Sequence, residues 1–163
     1  DCIRNVWQVC KRESVVAMNS GVIVNMGLSG IEFTVTTGGR PFEGARESIS
    51  ELHRMGIPTY IASGDRVTKL EKMADFLGIP RDRVFGNATP TVKAQIVADL
   101  QEEYDRVLMV GDGINDICAM KKSDVAILTE EQSGERHPEL YQAADHVVKN
   151  VREVVAIVKR LVH

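Results

Sequence analysis

The stretch Val107-Leu-Met-Val-Gly-Asp-Gly-Ile-Asn-Asp-Ile-Cys-Ala-Met120 decides how the rest of the chain is read. Its apolar opening, Val107 to Val110, has the length of a buried strand. Gly111 and Gly113 then bracket Asp112, where glycine lets the backbone turn sharply and a ligand come close. Asn115 and Asp116 follow at the start of an expected helix. Two carboxylates and a carboxamide are thereby gathered where a strand ends and a helix begins, the edge at which open α/β sheets bind ligands. Clustered oxygen donors of this kind suit Mg²⁺. A turn with an Asx cap on the next helix would account for Asn115 or Asp116, but not for an aspartate held between two glycines.

Working outward, strand and helix patterns alternate from residue 41 to the end. Ala45, Ile49 and Leu52 repeat at helical spacing and Gly56 closes that helix. Ile57 to Ala62 reads as a short buried strand. Val67, Leu70, Ala74 and Leu77 stripe a second helix, ended by Gly78 and Pro80. Arg83 to Phe85 is a brief strand, and a helix striped by Val92, Ile96 and Leu100 begins after Pro90. Beyond the Asp112 cluster, Val125 to Leu128 and His146 to Val148 read as strands. Residues 129–139 read as a loop, and Val151 to Leu161 as a closing helix. This order predicts βαβ units, a mainly parallel sheet and helices on both faces. The fold class expected is α/β, a Rossmann-like three-layer core.

Residues 1–38 have a different texture and read as a β-rich hairpin region. Val6 to Val9 is a strand candidate, and Val15 to Met18 and Val22 to Val24 flank a turn-forming triplet, Asn19-Ser-Gly21. Ile31 to Thr36 alternates apolar and polar residues, as a half-buried strand does. Gly38-Gly39-Arg40-Pro41 breaks the pattern. The organisation expected is one domain over 1–163, with the hairpin region at 1–38 and the α/β core at 39–163.

Composition bounds the function. The chain has 163 residues, 44% of them apolar and 26% charged, which fits a globular domain with a sizeable core. The net charge of −3 carries no basic surplus for nucleic acid. No apolar run reaches the length of a membrane span, and no signal pattern opens the chain. Cys2, Cys10 and Cys118 form no CxxC pair, which argues against a zinc site or disulfide frame. Reduced thiols in a cytoplasm are the simplest expectation.

Two further features belong with the Asp112 cluster. Ser63-Gly64-Asp65 ends the strand before the second helix. It offers a hydroxyl beside a helix N-terminus, whose free N–H groups suit phosphate; plain capping by Ser63 or Asp65 is the alternative. Lys93 lies in the first turn of its helix, where the dipole disfavours a cation. That placement hints at another role, while a solvated surface lysine is the plainer account of Lys93 alone. Parallel strands would bring all three features to one sheet edge. A hydroxyl, a lysine and Mg²⁺-binding carboxylates together suit phosphoryl transfer, where charge on the transferring group must be stabilised.

Ser63-Gly-Asp65, Lys93 and Gly111-Asp-Gly-Ile-Asn-Asp116 resemble the second, third and fourth motifs of the haloacid dehalogenase-like hydrolases. The resemblance is to the branch that holds the phosphorylation domain of P-type ATPases and their soluble relatives. It runs from Arg40 to the C-terminus. It implies a Mg²⁺-dependent phosphohydrolase acting on a small phosphorylated substrate through an aspartyl-phosphate. It also implies roles: Asp112 as metal ligand, Asp116 supporting the metal site, Asn115 orienting Lys93, and Ser63, Gly64 and Lys93 holding the phosphoryl group, with Asp65 in support. The family's first motif, an aspartate on the first core strand, has no match. By position Asn25 would stand for the nucleophile and Gly27 for the general acid/base, and a neutral carboxamide is a poor phosphate acceptor. The other reading makes residues 14–37 a β-hairpin turning at Asn25 to Gly30, with the nucleophile strand upstream of this chain. The alternatives in function are a domain that binds Mg²⁺ or a phosphorylated partner without turnover, and a cytoplasmic phosphorylation-domain fragment of a P-type ATPase.

Overall fold

The structure, a computed structural model, describes residues 17–25, 30–39, 41–131 and 136–162, with side chains from Pro41 onward. It divides into two compact units, Asp1–Pro41 and Phe42–His163. In the first, β1 (Ala17–Asn25) and β2 (Gly30–Gly39) pair antiparallel, from Ala17 opposite Gly39 to Asn25 opposite Gly30. The register shifts between Ile23 and Val24. Two sequence expectations are corrected here. Asn19-Ser-Gly21 is not a turn: it lies inside β1, opposite Thr37, Thr36 and Val35, because a continuous ladder outweighs the turn propensity of three residues. Gly38 and Gly39 do not break the pattern but close β2 as partners of Met18 and Ala17. The strand expected at Val6 to Val9 and the position of Gly27 lie outside the described residues.

The second unit alternates as the periodicity predicts. Its elements are α1 (Ala45–Arg54), β3 (Ile61–Ala62), α2 (Val67–Leu77), β4 (Val84–Phe85), α3 (Pro90–Glu103), β5 (Leu108–Gly111), α4 (Ile117–Lys122), β6 (Val125–Thr129), α5 (Pro138–Ala143), β7 (His146–Val148) and α6 (Arg152–Val162). The strand expected over Ile57 to Ala62 shrinks to its last two residues. The loop expected over 129–139 yields its end to α5, which starts on Pro138, a residue whose fixed φ and missing N–H suit the first helical position.

β5, β6 and β7 form one parallel sheet with β6 central, Leu108 opposite Val125 and Ile127 opposite His146. β6 is buried on both faces, as a strand of a parallel sheet is. Ile127 packs with Leu52 of α1, Val148 of β7 and Val154, Val155 and Val158 of α6. Its neighbours Ala126 and Leu128 point the other way, to Ile117, Met120 and Leu140 of α4 and α5. The sheet is thus a middle layer between helices.

β3 and β4 form a separate parallel pair, Ile61 opposite Val84. Among the described residues no strand pairing joins β3 to β5. Yet the two pieces share their covering helices: α1 packs against both α2 and α6. α3 packs against α4, while Tyr104 just past its end shares a 2.8 Å hydroxyl–hydroxyl hydrogen bond with Tyr60 beside β3. Burial, and then the bond to Tyr104, push the Tyr60 hydroxyl up to about 12. A cavity of about 350 Å³ opens between α3 and the β3–β4 pair, walled by Tyr60, Phe85, Ile96 and Leu100. On β5, Val110 is 39% exposed, unusual for an apolar residue of a parallel strand.

Candidate phosphoryl-transfer site

The site is built on the turn that leaves β5. After Gly111 the chain passes through Asp112 and Gly113 into a single 3₁₀ turn, Ile114–Asp116, which runs directly into α4. The turn folds Asp116 back under the strand end. Its Oδ2 accepts the backbone N–H of Asp112 at 3.1 Å and of Gly113 at 3.2 Å. A Cβ on Gly111 would lie 2.7 Å from the Asp116 Cβ and 3.1 Å from the Met120 Sδ. Glycine is needed at 111 to make room for Asp116, a closer reason than the approach of a ligand.

Lys93 reaches the same carboxylate from the neighbouring βα unit. Thr89 caps α3, accepting the N–H of Val92 at 3.3 Å, and Pro90 takes the first helical position. Lys93 therefore falls in the first turn, as its sequence context predicts, but it is not a solvated surface lysine. It is 5% exposed and Asp116 is 6% exposed, and its Nζ donates to the Asp116 Oδ1 at 2.7 Å. A cation that opposes the helix dipole is offset by a full carboxylate. The resemblance implied that Asn115 orients Lys93. The structure instead gives that contact to Asp116, and Asn115 is exposed. The reason is helical spacing: the turn that buries position 116 beneath the strand points position 115 outward.

Ser63 closes the end of β3. Its N–H donates to the Phe85 carbonyl at 3.0 Å, and its own carbonyl accepts the N–H of Ala88 at 2.9 Å. The hydroxyl accepts the Asp65 N–H at 3.2 Å, a local Asx-like turn rather than a cap, since the α2 N-cap is Arg66 with no side-chain bond. Asp65 pairs with Lys69 at 2.9 Å. Gly64 sits 3.8 Å, by its would-be Cβ, from the carbonyl of Ala88. A continuous path of contacts thus runs from Ser63 through Ala88 and α3 to Lys93, Asp116 and the Asp112 amide.

Both Asp116 oxygens are engaged, one by an ammonium and one by two amides, so this carboxylate is poorly placed to ligate a metal as well. Asp112 is half-buried, and no hydrogen bond or ion pair engages its carboxylate among the described residues. Among the described residues no group of three or more histidine, cysteine or acidic side chains could hold a metal ion. Magnesium does not require such a cage: it is commonly held by one or two carboxylates together with substrate phosphate and water. Asp112 is the carboxylate in this turn that could hold Mg²⁺ in that way.

The family model for haloacid dehalogenase-like hydrolases matches residues 23–124, the span that carries Ser63, Lys93, Asp112 and Asp116. The chain belongs to the haloacid dehalogenase-like hydrolases. It is 31% identical over 156 residues to a soluble P-type ATPase-like phosphatase of Methanocaldococcus jannaschii, covering 95% of this chain and 57% of that protein. It is 36% identical over 121 residues to a copper-transporting ATPase of Helicobacter pylori, covering 73% of this chain and 16% of that one. A crystal structure of a zinc-transporting PIB-type ATPase in its E2.Pi state matches 96% of this chain and 24% of its own, with a TM-score of 0.68 at 23% identity. That likeness speaks for the fold. The chain spans only part of each relative's length. No helix among the described residues is long and apolar enough to cross a membrane.

Proposed function

We propose that this chain carries the phosphate-holding and metal-holding parts of a Mg²⁺-dependent phosphohydrolase acting on a small phosphoester. The observation that carries the reading is the buried Lys93–Asp116 pair set against the Asp112 turn. Asp116 fixes the ammonium at the sheet edge and the Asp112 amide in one stroke, so the cation and the metal-side carboxylate are preorganised toward one point. Lys93 then stabilises charge on the phosphoryl oxygens, and the Ser63 hydroxyl orients them. Bound at Asp112, Mg²⁺ would supply further charge stabilisation for the transferring group. In this family's chemistry a carboxylate attacks phosphorus as the ester oxygen leaves, and water then cleaves the acyl phosphate.

The attacking aspartate belongs, on this reading, to a parallel strand between β3 and β5 supplied from upstream of residues 1–163. Two features support that position. β3 and β5 have no pairing with each other, and Val110 of β5 is exposed. Calorimetric titration of Mg²⁺ tests the metal assignment. Asp112→Asn is expected to abolish the heat of binding, and an unchanged titration would make Asp112 a turn residue only.

The resemblance to P-type ATPases supports a second reading, in which the same array accepts the γ-phosphoryl group of ATP as a phosphorylation-domain piece of a pump. Acid-stable labelling by γ-labelled ATP, in a polypeptide that includes the aspartate strand, favours the pump; turnover of a small aryl phosphate favours the hydrolase. Mg²⁺ and phosphate binding with neither activity would leave a binding domain.

A further inference from the structure

Ser63 and Lys93 sit on different βα units, and among the described residues their strands do not reach β5 by pairing. What fixes their spacing is the loop from Gly86 to Thr89. Together with the end of β4 it is laced to the loop after β3 by three backbone bonds: Ser63 N–H to the Phe85 carbonyl at 3.0 Å, Ala88 N–H to the Ser63 carbonyl at 2.9 Å, and Asn87 N–H to the Asp65 carbonyl at 2.8 Å. The fit is tight, since a Cβ on Gly86 would lie 2.7 Å from the backbone nitrogen of Val67 and 2.9 Å from the Asp65 carbonyl. Ala88 is buried, and Thr89 then caps the helix that carries Lys93.

Asn87 is the residue on which this lacing turns. Among the described residues it alone, apart from glycines, has a positive φ, 54°. Its side chain is exposed, so its contribution is the left-handed backbone that aims its N–H back at Asp65. Asparagine tolerates that conformation better than other residues with a Cβ, and a β-branched residue tolerates it least. We infer that Asn87 is a positioning residue of the phosphoryl site: its left-handed backbone locks the Ser63 loop to the Lys93 helix, and so sets the width of the phosphate cradle before ligand arrives. The inference rests on the phosphohydrolase reading and adds a residue that contacts neither phosphate nor metal.

The test is binding of inorganic phosphate, in the presence of Mg²⁺, to this chain and to Asn87→Val and Asn87→Gly, followed by phosphorus NMR line width, with the thermal midpoint of each variant recorded. Asn87→Val is expected to bind phosphate about tenfold more weakly, the effect of roughly 1.4 kcal/mol, while keeping its Mg²⁺ titration. Asn87→Gly, which keeps both the conformation and the N–H, is expected to bind within about twofold of the parent. That rescue separates positioning from general loss of structure. Equal phosphate affinity in a folded Asn87→Val, or weakening by Asn87→Gly equal to that by valine, overturns the inference alone. No phosphate binding by the parent chain, with Lys93→Ala indistinguishable from it, overturns the phosphohydrolase reading and this inference with it.

Discussion

Lys93 and Asp116 show how little of a buried ion pair's role can be judged from stability alone. Removing one partner strands a charge in a place from which water is largely excluded, at a cost of about 3–5 kcal/mol. Lys93→Met is therefore expected to lower the urea midpoint sharply. Lys93→Met with Asp116→Asn should recover part of that loss, because no uncompensated carboxylate remains. Additive losses in that double variant would mean the two side chains are not coupled. Gly111 acts on the same carboxylate from behind. Gly111→Ala places a methyl 2.7 Å from the Asp116 Cβ, and neither atom is at the end of a flexible side chain. Overpacking of this kind costs about 1–3 kcal/mol. It is expected to weaken Mg²⁺ binding together with stability, since the Asp112 amide and Asp116 move as one turn. The dipole conflict at Lys93 was visible in its position one turn past Thr89 and Pro90. The identity of its counter-charge was not, because Asn115 and Asp116 are adjacent and only the pitch of the turn decides which one faces inward.

Elements hold these residues in register by their ends. The start of β5 is fixed by Asp124, whose Oδ2 accepts the Val107 N–H at 2.8 Å and the Gln101 side-chain amide at 3.0 Å. The Gln101 bond first, then the Val107 N–H, hold the Asp124 carboxyl below its ordinary value of 3.8. A carboxyl whose folded value is lowered stabilises the fold above its ordinary value, and that contribution is lost as pH falls through the folded one. Asp124→Asn is expected to lower the unfolding midpoint slightly at neutral pH and to flatten its decline below pH 3.8. An acid limb identical to the parent's would show that Asp124 titrates alike in both states. The cap on α3 is open to a similar check: Thr89→Ala should cost about 1 kcal/mol, read by urea unfolding. Most elements could be named from the chain, since the apolar periods of 3.6 and 2 are strong where helices and strands are buried on a face. The failures have local causes. Asn19-Ser-Gly21 carries turn propensity that a long ladder overrides, and α5 is short enough that Pro138 is its main signal. The loop around Asn87 gave no periodic signal, because its function lies in backbone bonds that no side-chain pattern records.

In the Phe42–His163 unit, the two part-sheets, β3–β4 and β5–β6–β7, are covered by the same helices but not joined to each other among the described residues. Ser63 ends one piece and the Asp112–Asp116 turn ends the other. On the proposed function a strand between them completes both the sheet and the chemistry, by bringing a carboxylate beside Ser63, Lys93 and Asp112. On that reading these residues hold the phosphoryl group and the metal while that strand supplies the attacking group. Its most direct test is Mg²⁺-dependent turnover of an aryl phosphate. Residues 1–163 alone and a polypeptide extended to include an aspartate-bearing first strand are measured side by side. Turnover near background is expected for residues 1–163, with Mg²⁺-dependent turnover for the extended polypeptide and loss of that activity on Lys93→Ala or Asp112→Ala. Robust Mg²⁺-dependent turnover by residues 1–163, or an extended polypeptide whose activity survives both substitutions, would contradict that reading.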